Sequence, residues 1–293
     1  MNNKFIYLIL VILTLLFSTS YSQVDTYSAT NQGQIQQLAN MIVSGGSILL
    51  PNLEIRINTP ILITNSNIKL IGDTNTLLKL DDNSNCPIIV VGVQGTECIT
   101  NIQLILLQID GNRTNQQREI WKLSNIGYPI YNNGIVIQNS RDVLVYDVII
   151  SDCRSGGFVS TFGVSKLNVI NYVAFNNQFD GLACYQTTES IFVNLLLHDN
   201  IAAGISLDME FNNNIFDNII LTRNDIGIFM RNSAGNIFRN VNLHDNKSFD
   251  LFISSINNLP MTGCNSNYFD IRYDGKLFKG DNLCTNNVFR YKL

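Results

Sequence analysis

Four side chains in the second half of the chain are of the types that proton-transfer chemistry needs. Tyr185, Asp208 and Arg231 follow one another at intervals of 23 and 23 residues, and Glu210 lies two residues beyond Asp208. An arginine can neutralise a substrate carboxylate, a carboxylate can take the proton beside it, and a phenol can supply one. Two carboxylates could instead divide the work of hydrolysing a glycosidic bond. Asp208 and Arg231 on neighbouring strands would equally make an ordinary cross-strand ion pair with no chemistry of its own. Whether the four meet depends on what an interval of 23 residues means for this chain.

The interval is a repeat. Glycine followed by an apolar-x-apolar triplet recurs as GIVI from Gly134, GFVS from Gly157, GLAC from Gly181, GISL from Gly204 and GIFM from Gly227, with DLFI from Asp250 as a glycine-less sixth. The residues that follow, Ile135, Phe158, Leu182, Ile205, Ile228 and Leu251, are 23, 24, 23, 23 and 23 apart. A fixed period in the low twenties, β-rich and without helical periodicity, predicts a solenoid in which each turn buries its apolar side against the next. Alternation along the triplet points Val136, Val159, Ala183, Ser206, Phe229 and Phe252 outward, together with Gln138, Thr161, Tyr185, Asp208, Arg231 and Ser254. Tyr185, Asp208 and Arg231 thereby become neighbours on one face.

Asparagine marks the turns. Cys153, Asn177, Asn200, Asn224 and Asn246 fall three or four residues before the repeat glycine, and amides stacked about 4.8 Å apart can bond from turn to turn. Leu197, Leu221 and Leu243, with Ile150 and Ala174 before them, predict an interior column. The chain holds 41 asparagines against 42 charged residues, and the charged share of 14% is low against a usual value of about 25%. With 45% apolar residues the chain is not disordered, and no two basic residues are adjacent, which argues against nucleic acid or an anionic membrane surface as partner.

Residues 1–22 read as a secretory signal, with Lys4 before an apolar run from Phe5 to Phe17 and small Ser20 and Ser22 before the cut; an uncleaved anchor is the alternative. The mature chain, 23–293, is expected to be one secreted, monomeric domain of roughly ten turns. An amphipathic helix over 32–45, with Ile35, Leu38, Ala39 and Ile42 on one face, would cap the first turn. The one long interruption of the period, 113–133, carries Arg113, Arg118 and the sole Trp121, and is expected to wall a groove in which these residues and Phe229 hold substrate.

Six cysteines in a secreted chain suggest bridges, Cys86 with Cys98 and Cys264 with Cys284, whereas Cys153 and Cys184 read equally as a bridge or as two buried thiols. Sequons at Asn112 and Asn246 would accept glycans in a eukaryotic secretory pathway. His198 and His244, in equivalent LHDN segments two turns apart, read as repeat decoration rather than a metal pair. No cysteine spacing suits zinc. No cofactor is expected, and no motif supports calcium.

The apolar triplets after glycine, the asparagine-marked turns, the helix before GGSILLP and the phrase IDGNRTNQ resemble right-handed parallel β-helix proteins of the pectin-lyase-like group. The stretch VAFNNQFDGLACYQTTESIFVNLLLHDNIAAGISL is most similar to repeats of alginate epimerases and related polysaccharide lyases. The resemblance implies an all-β right-handed parallel β-helix and a polysaccharide partner, with the sugar groove on the outward face that carries Tyr185. It implies lyase- or epimerase-like chemistry on uronate sugars. Where the epimerases carry Asp-Pro-His, however, this chain has Val159, Ser160 and Thr161, and the acid of the next turn aligns with Tyr185. The alternative is a non-catalytic carbohydrate-binding or structural β-helix.

Overall fold

The computed structural model describes residues 25–117, 132–255, 263–273, 275, 277–278 and 283–292. The segment expected to be a signal and most of the 113–133 insertion, including Arg118 and Trp121, lie outside the described residues.

The chain winds as a parallel β-helix. A wide 14-stranded sheet runs from Thr26–Ser28 at one end to Val288–Lys292 at the other, and a narrow 9-stranded sheet runs from Ile61–Ile63 to Leu277–Phe278. Each turn contributes to both. The register of the narrow sheet follows the repeat, with Phe158 against Ile135 and Leu182, Leu182 against Ile205, and Ile228 against Leu251. The wide sheet bends where Leu106, Asp147, Asn171, Asn194, Asn218 and Asn240 take left-handed φ of 51 to 59°, and its three long strands bend again at Asn101, Asp142 and Lys166. Asparagine and aspartate bear that conformation at the lowest cost among residues with a side chain, which accounts for the four asparagines and one aspartate in the row from Leu106 to Asn240.

The expected interior columns form. Ile150, Ala174, Leu197, Leu221 and Leu243 pair in register and are fully buried. Beside them runs a column of rings, Phe192, Phe216, Phe238, Phe269 and Phe289, stacked at centroid distances of 4.4, 4.8, 4.8 and 5.1 Å. The ring spacing matches the strand spacing, so one aromatic per turn fills the core without a gap.

The buried asparagines bond as a ladder. Asn177 donates its backbone N–H and its Nδ2 to Asn200 Oδ1 at 3.2 and 2.9 Å, and Asn200 does the same to Asn224 at 3.1 and 3.0 Å. Asn224 repeats the pattern on Asn246. A second ladder at another corner joins Asn214, Asn236, Asn267 and Asn287. The repeat glycine belongs to the first ladder, because a Cβ on Gly204 would stand 2.9 Å from Asn224 Nδ2 and 3.1 Å from the Gly227 carbonyl oxygen. Glycine leaves room for the amide.

The helix α1 spans Gln32–Met41, shorter than the expected 32–45, because Ile42 leaves helical geometry at ψ 86° and Gly45 turns at φ 104°. It packs on Ile61–Ile63, the edge strand of the narrow sheet, with Ile35 and Ala39 buried. Gln36 accepts from the Leu62 N–H at 2.7 Å and donates to the Leu62 carbonyl at 3.0 Å. One helical turn earlier, Gln32 accepts from the Asn58 N–H and donates to the Thr59 carbonyl. Two side-chain amides thus imitate the strand that the edge lacks, which closes this end of the sheet to another chain.

Candidate functional site

The narrow sheet sets the proposed column. Tyr185 pairs with Asp208, and Asp208 lies beside Arg231 on the next strand, Arg231 in turn pairing with Ser254. Their inward neighbours Leu182, Cys184, Ile205, Leu207, Ile228 and Met230 are all fully buried, so alternation turns the column outward as expected.

Asp208 is closed in. It is 2% exposed, its Oδ2 takes a 2.6 Å bond from Arg231 Nη2, and its Oδ1 takes the Met209 N–H at 2.8 Å. Burial raises its pKa, against the opposing pull of Arg231. Arg231 is the more open partner, its guanidinium 4.9 Å from the centre of the Phe229 ring, and Phe229 stacks on Phe252 at 5.4 Å. The Arg231 Nε is buried without a hydrogen-bond partner, an unfilled donor of the kind that costs stability unless a ligand takes it.

Burial, with the charges of Asp180 and Asp208, holds the Tyr185 phenol well above its ordinary pKa, opposed by the Ser206 side chain on the next turn. Outward-facing Ala183 and Ser206 are correspondingly buried.

Asp180 is the functional candidate that the sequence pattern did not single out. It precedes the repeat glycine, where other turns have Gly156, Ala203 or Ile226, and so breaks the repeat. Its Oδ1 takes the Ala203 N–H at 2.9 Å, and desolvation pushes its carboxyl up to about 6. The irregularity was the available signal.

Glu210 does not join the column. Met209 and Glu210 both take left-handed φ, at 51 and 68°, and carry the chain around the corner, so Glu210 lines a separate groove with Gln186 and Asn212. Arg113 sits at the turn that leads into the narrow sheet, its N–H on the Asp152 carbonyl, away from the strand ends that carry Asp208 and Arg231. The part of the insertion that would wall the groove is outside the described residues.

The structure places the cysteines and sequons differently from one another. All six cysteines are free thiols. Cys86 and Cys98 lie at opposite ends of the strand Ile89–Val91, their sulfurs near the Asn58 and Ile99 carbonyls. Cys264 and Cys284 do meet on successive turns, with the Cys264 N–H 3.4 Å from Cys284 Sγ, but as thiols. Cys153 and Cys184 are both fully buried, and burial pushes the Cys184 thiol up to about 12. Neither sequon amide is open to a glycan in the folded chain. Asn112 Nδ2 is bonded to the Leu80 carbonyl and Asp82, and Asn246 Nδ2 to the Leu221 carbonyl and Asp250, with both residues buried.

The histidines decorate the wide sheet. His198 stacks on Phe175 at 5.1 Å and bonds Asp199, whereas His244 bonds Asp245. Among the described residues no cluster of His, Cys, Asp and Glu could hold a metal ion, and no helix is long and apolar enough to cross a membrane.

A parallel β-helix with laddered corners and an outward polar column defines a class, and sequence comparison agrees. Residues 133–289 match the family model described as "Right handed beta helix region", and the chain belongs to that family. No curated protein matches in sequence. Among solved structures, the mannuronan C-5 epimerase AlgE4 A-module of Azotobacter vinelandii is similar at 16% identity and TM-score 0.63, covering 90% of this chain and 81% of that one. The pectate lyase Pel9A is similar at 14% identity and TM-score 0.64, covering 92% and 78%. A polygalacturonase from Erwinia carotovora follows at 12% identity and TM-score 0.53, covering 94% and 98%. At these identities the likeness is one of fold.

Proposed function

We propose that this chain is a secreted protein that acts on an extracellular polysaccharide, moving protons on a uronate sugar as a lyase or an epimerase does. The observation that carries the reading is the Arg231 guanidinium, held by Asp208 on one side with its buried Nε left unpaired, on the face that also presents Tyr185, which lies within the field of Asp180. The names of the fold relatives, an epimerase, a lyase and a polygalacturonase, support a polysaccharide as partner.

In this reading Arg231 takes the sugar carboxylate and draws charge from the adjacent carbon, which makes its proton easier to remove. Asp180, ionised above about pH 6, takes that proton. Tyr185, kept protonated by its surroundings, supplies one to the leaving oxygen or to the opposite face. Asp208 is a positioning residue that aims Arg231. Phe229 and Phe252 offer ring faces to the sugar.

A second reading, binding without turnover, is favoured by the closure of Asp208 and by the apolar Val159, Ala183 and Phe229 on the same face. The purified protein, incubated with alginate, pectate and neutral polysaccharides, separates the two. Unsaturated product seen by ultraviolet absorbance, or epimerised uronate seen by NMR, lost in both Asp180→Asn and Tyr185→Phe, supports the enzyme. Binding with no product on any polymer refutes it. Activity that survives both variants places the chemistry elsewhere.

A further inference from the structure

Five successive turns leave the narrow sheet through one corner residue in the left-handed conformation, and the row reads Asn139, Phe162, Gln186, Met209 and Asn232, with φ of 43, 58, 47, 51 and 41°. Asparagine suits this position and stands at both ends of the row. Between them the chain places a bulky aromatic, a long amide and a methionine, all of which the left-handed region disfavours. Folding does not ask for these three residues, and breaks in an otherwise consistent local rule are where function is to be sought.

At these turns lies a groove of about 600 Å³ lined by Gln94, Phe162, Ser165, Gln186, Thr188 and Glu210, with Asn212 at its edge. No hydrogen bond is made by the side chains of Gln94, Ser165, Gln186, Thr188 or Glu210 to any described residue, whereas Asn212 Oδ1 is taken by the Ala234 N–H and its Nδ2 is open. Two primary amides, two hydroxyls, one carboxylate and a half-exposed ring therefore face one cavity with their bonding capacity unspent. No lysine or arginine lines it, so it does not suit an anion.

We propose that this corner groove is a binding subsite for a neutral sugar. Glu210 accepts from adjacent hydroxyls, Gln186 and Asn212 donate and accept at the ring edge, and Phe162 gives the apolar ring face a surface. Gln186 follows Tyr185 directly and Glu210 lies two residues beyond Asp208, so the subsite adjoins the column on the narrow sheet. Resting on the reading of that column as a uronate site, a chain that crosses the corner would carry a neutral residue next to its uronate, which makes the substrate a mixed polysaccharide.

The test is binding to the purified full-length protein, followed by isothermal titration and by ligand-observed NMR. The probes are glucose, galactose, mannose, xylose and N-acetylglucosamine with their trisaccharides, and triguluronate as the anionic control. At least one neutral trisaccharide is expected to bind with a millimolar or lower Kd, weakened tenfold or more by Glu210→Gln and by Gln186→Ala at unchanged melting temperature. Absence of neutral-sugar binding, or binding that both variants leave intact, overturns the proposal. Neutral binding without turnover of any uronate polymer removes only the reading of the column. Turnover without neutral binding removes only the subsite.

Discussion

Two rows of corner residues run along the middle of this solenoid, one residue per turn, and they obey different rules. The buried ladder of Asn177, Asn200, Asn224 and Asn246 repeats one residue, and Asn177, Asn200 and Asn224 each donate to the Oδ1 of the next. The corner row of Asn139, Phe162, Gln186, Met209 and Asn232 repeats a conformation but not a residue. Uniformity marks the row whose partners are its own copies on the next turn. Variation marks the row whose partners lie outside the chain. The same contrast separates the stacked Phe192, Phe216, Phe238 and Phe269 from the outward face, where Tyr185, Asp208 and Arg231 differ at every turn.

If the uniform rows are structure, breaking one should cost the most. Phe216→Ala removes a ring stacked on both sides and leaves a void between turns, so a loss of about 4 kcal/mol is expected in urea unfolding. Asn200→Ala strips the Asn177 N–H and Nδ2 of their acceptor and the Ala174 carbonyl of a donor. With buried groups left unpaired, the expected loss is about 3 kcal/mol. A variant of either kind that melts with the wild type would show that the uniform rows are not what holds the turns together.

The fold was legible for the same reason. A repeat of Ile135, Phe158, Leu182, Ile205 and Ile228 declares its period, and the period dictates the register that the structure confirms. The site was legible only in part. Tyr185, Asp208 and Arg231 could be aligned because they occupy repeat positions, but a repeat says nothing of the residue that breaks it, so the influence of Asp180 on Tyr185 was hidden. Glu210 was assigned to the column on spacing alone, and two consecutive left-handed residues turned it into another groove. The Asn246 sequon falls in a row the sequence already marked as a ladder, but only the structure shows its Nδ2 spent on the Leu221 carbonyl and Asp250, and Cys86 and Cys98 held at opposite ends of the strand Ile89–Val91.

The variable rows should show their difference in pH. The amides of the asparagine ladder do not themselves titrate. Asp180 has a folded pKa of about 6, above its unfolded value, so the folded state holds a proton that the unfolded chain has released. Its contribution is fully present below about pH 4, declines as pH rises toward about 6, and is level above that. Asp180→Asn keeps the Oδ1 acceptor for the Ala203 N–H and removes the charge. Its stability relative to wild type should therefore rise by on the order of 1 to 2 kcal/mol between pH 4 and pH 7, discounting the full shift for partial exposure. Parallel urea curves at pH 4, 5, 6 and 7 measure this, and a constant difference across the series would refute the assignment of Asp180 as the desolvated acid.

The smallest effect separates the rows most sharply, because stability and binding should move in opposite directions. Gln186 is exposed and sits at φ 47°, where asparagine is better accommodated. Gln186→Asn makes the corner row more like a ladder row, and folding should gain about 0.5 kcal/mol. The same change shortens the amide arm by one methylene and draws it back from the groove, so neutral-sugar affinity should fall. A gain in stability with unchanged affinity would mean that glutamine stands there without a ligand to explain it. A loss in both would mean that Gln186 supports the corner itself, and the distinction between a row kept for folding and a row kept for an outside partner would no longer hold at that turn.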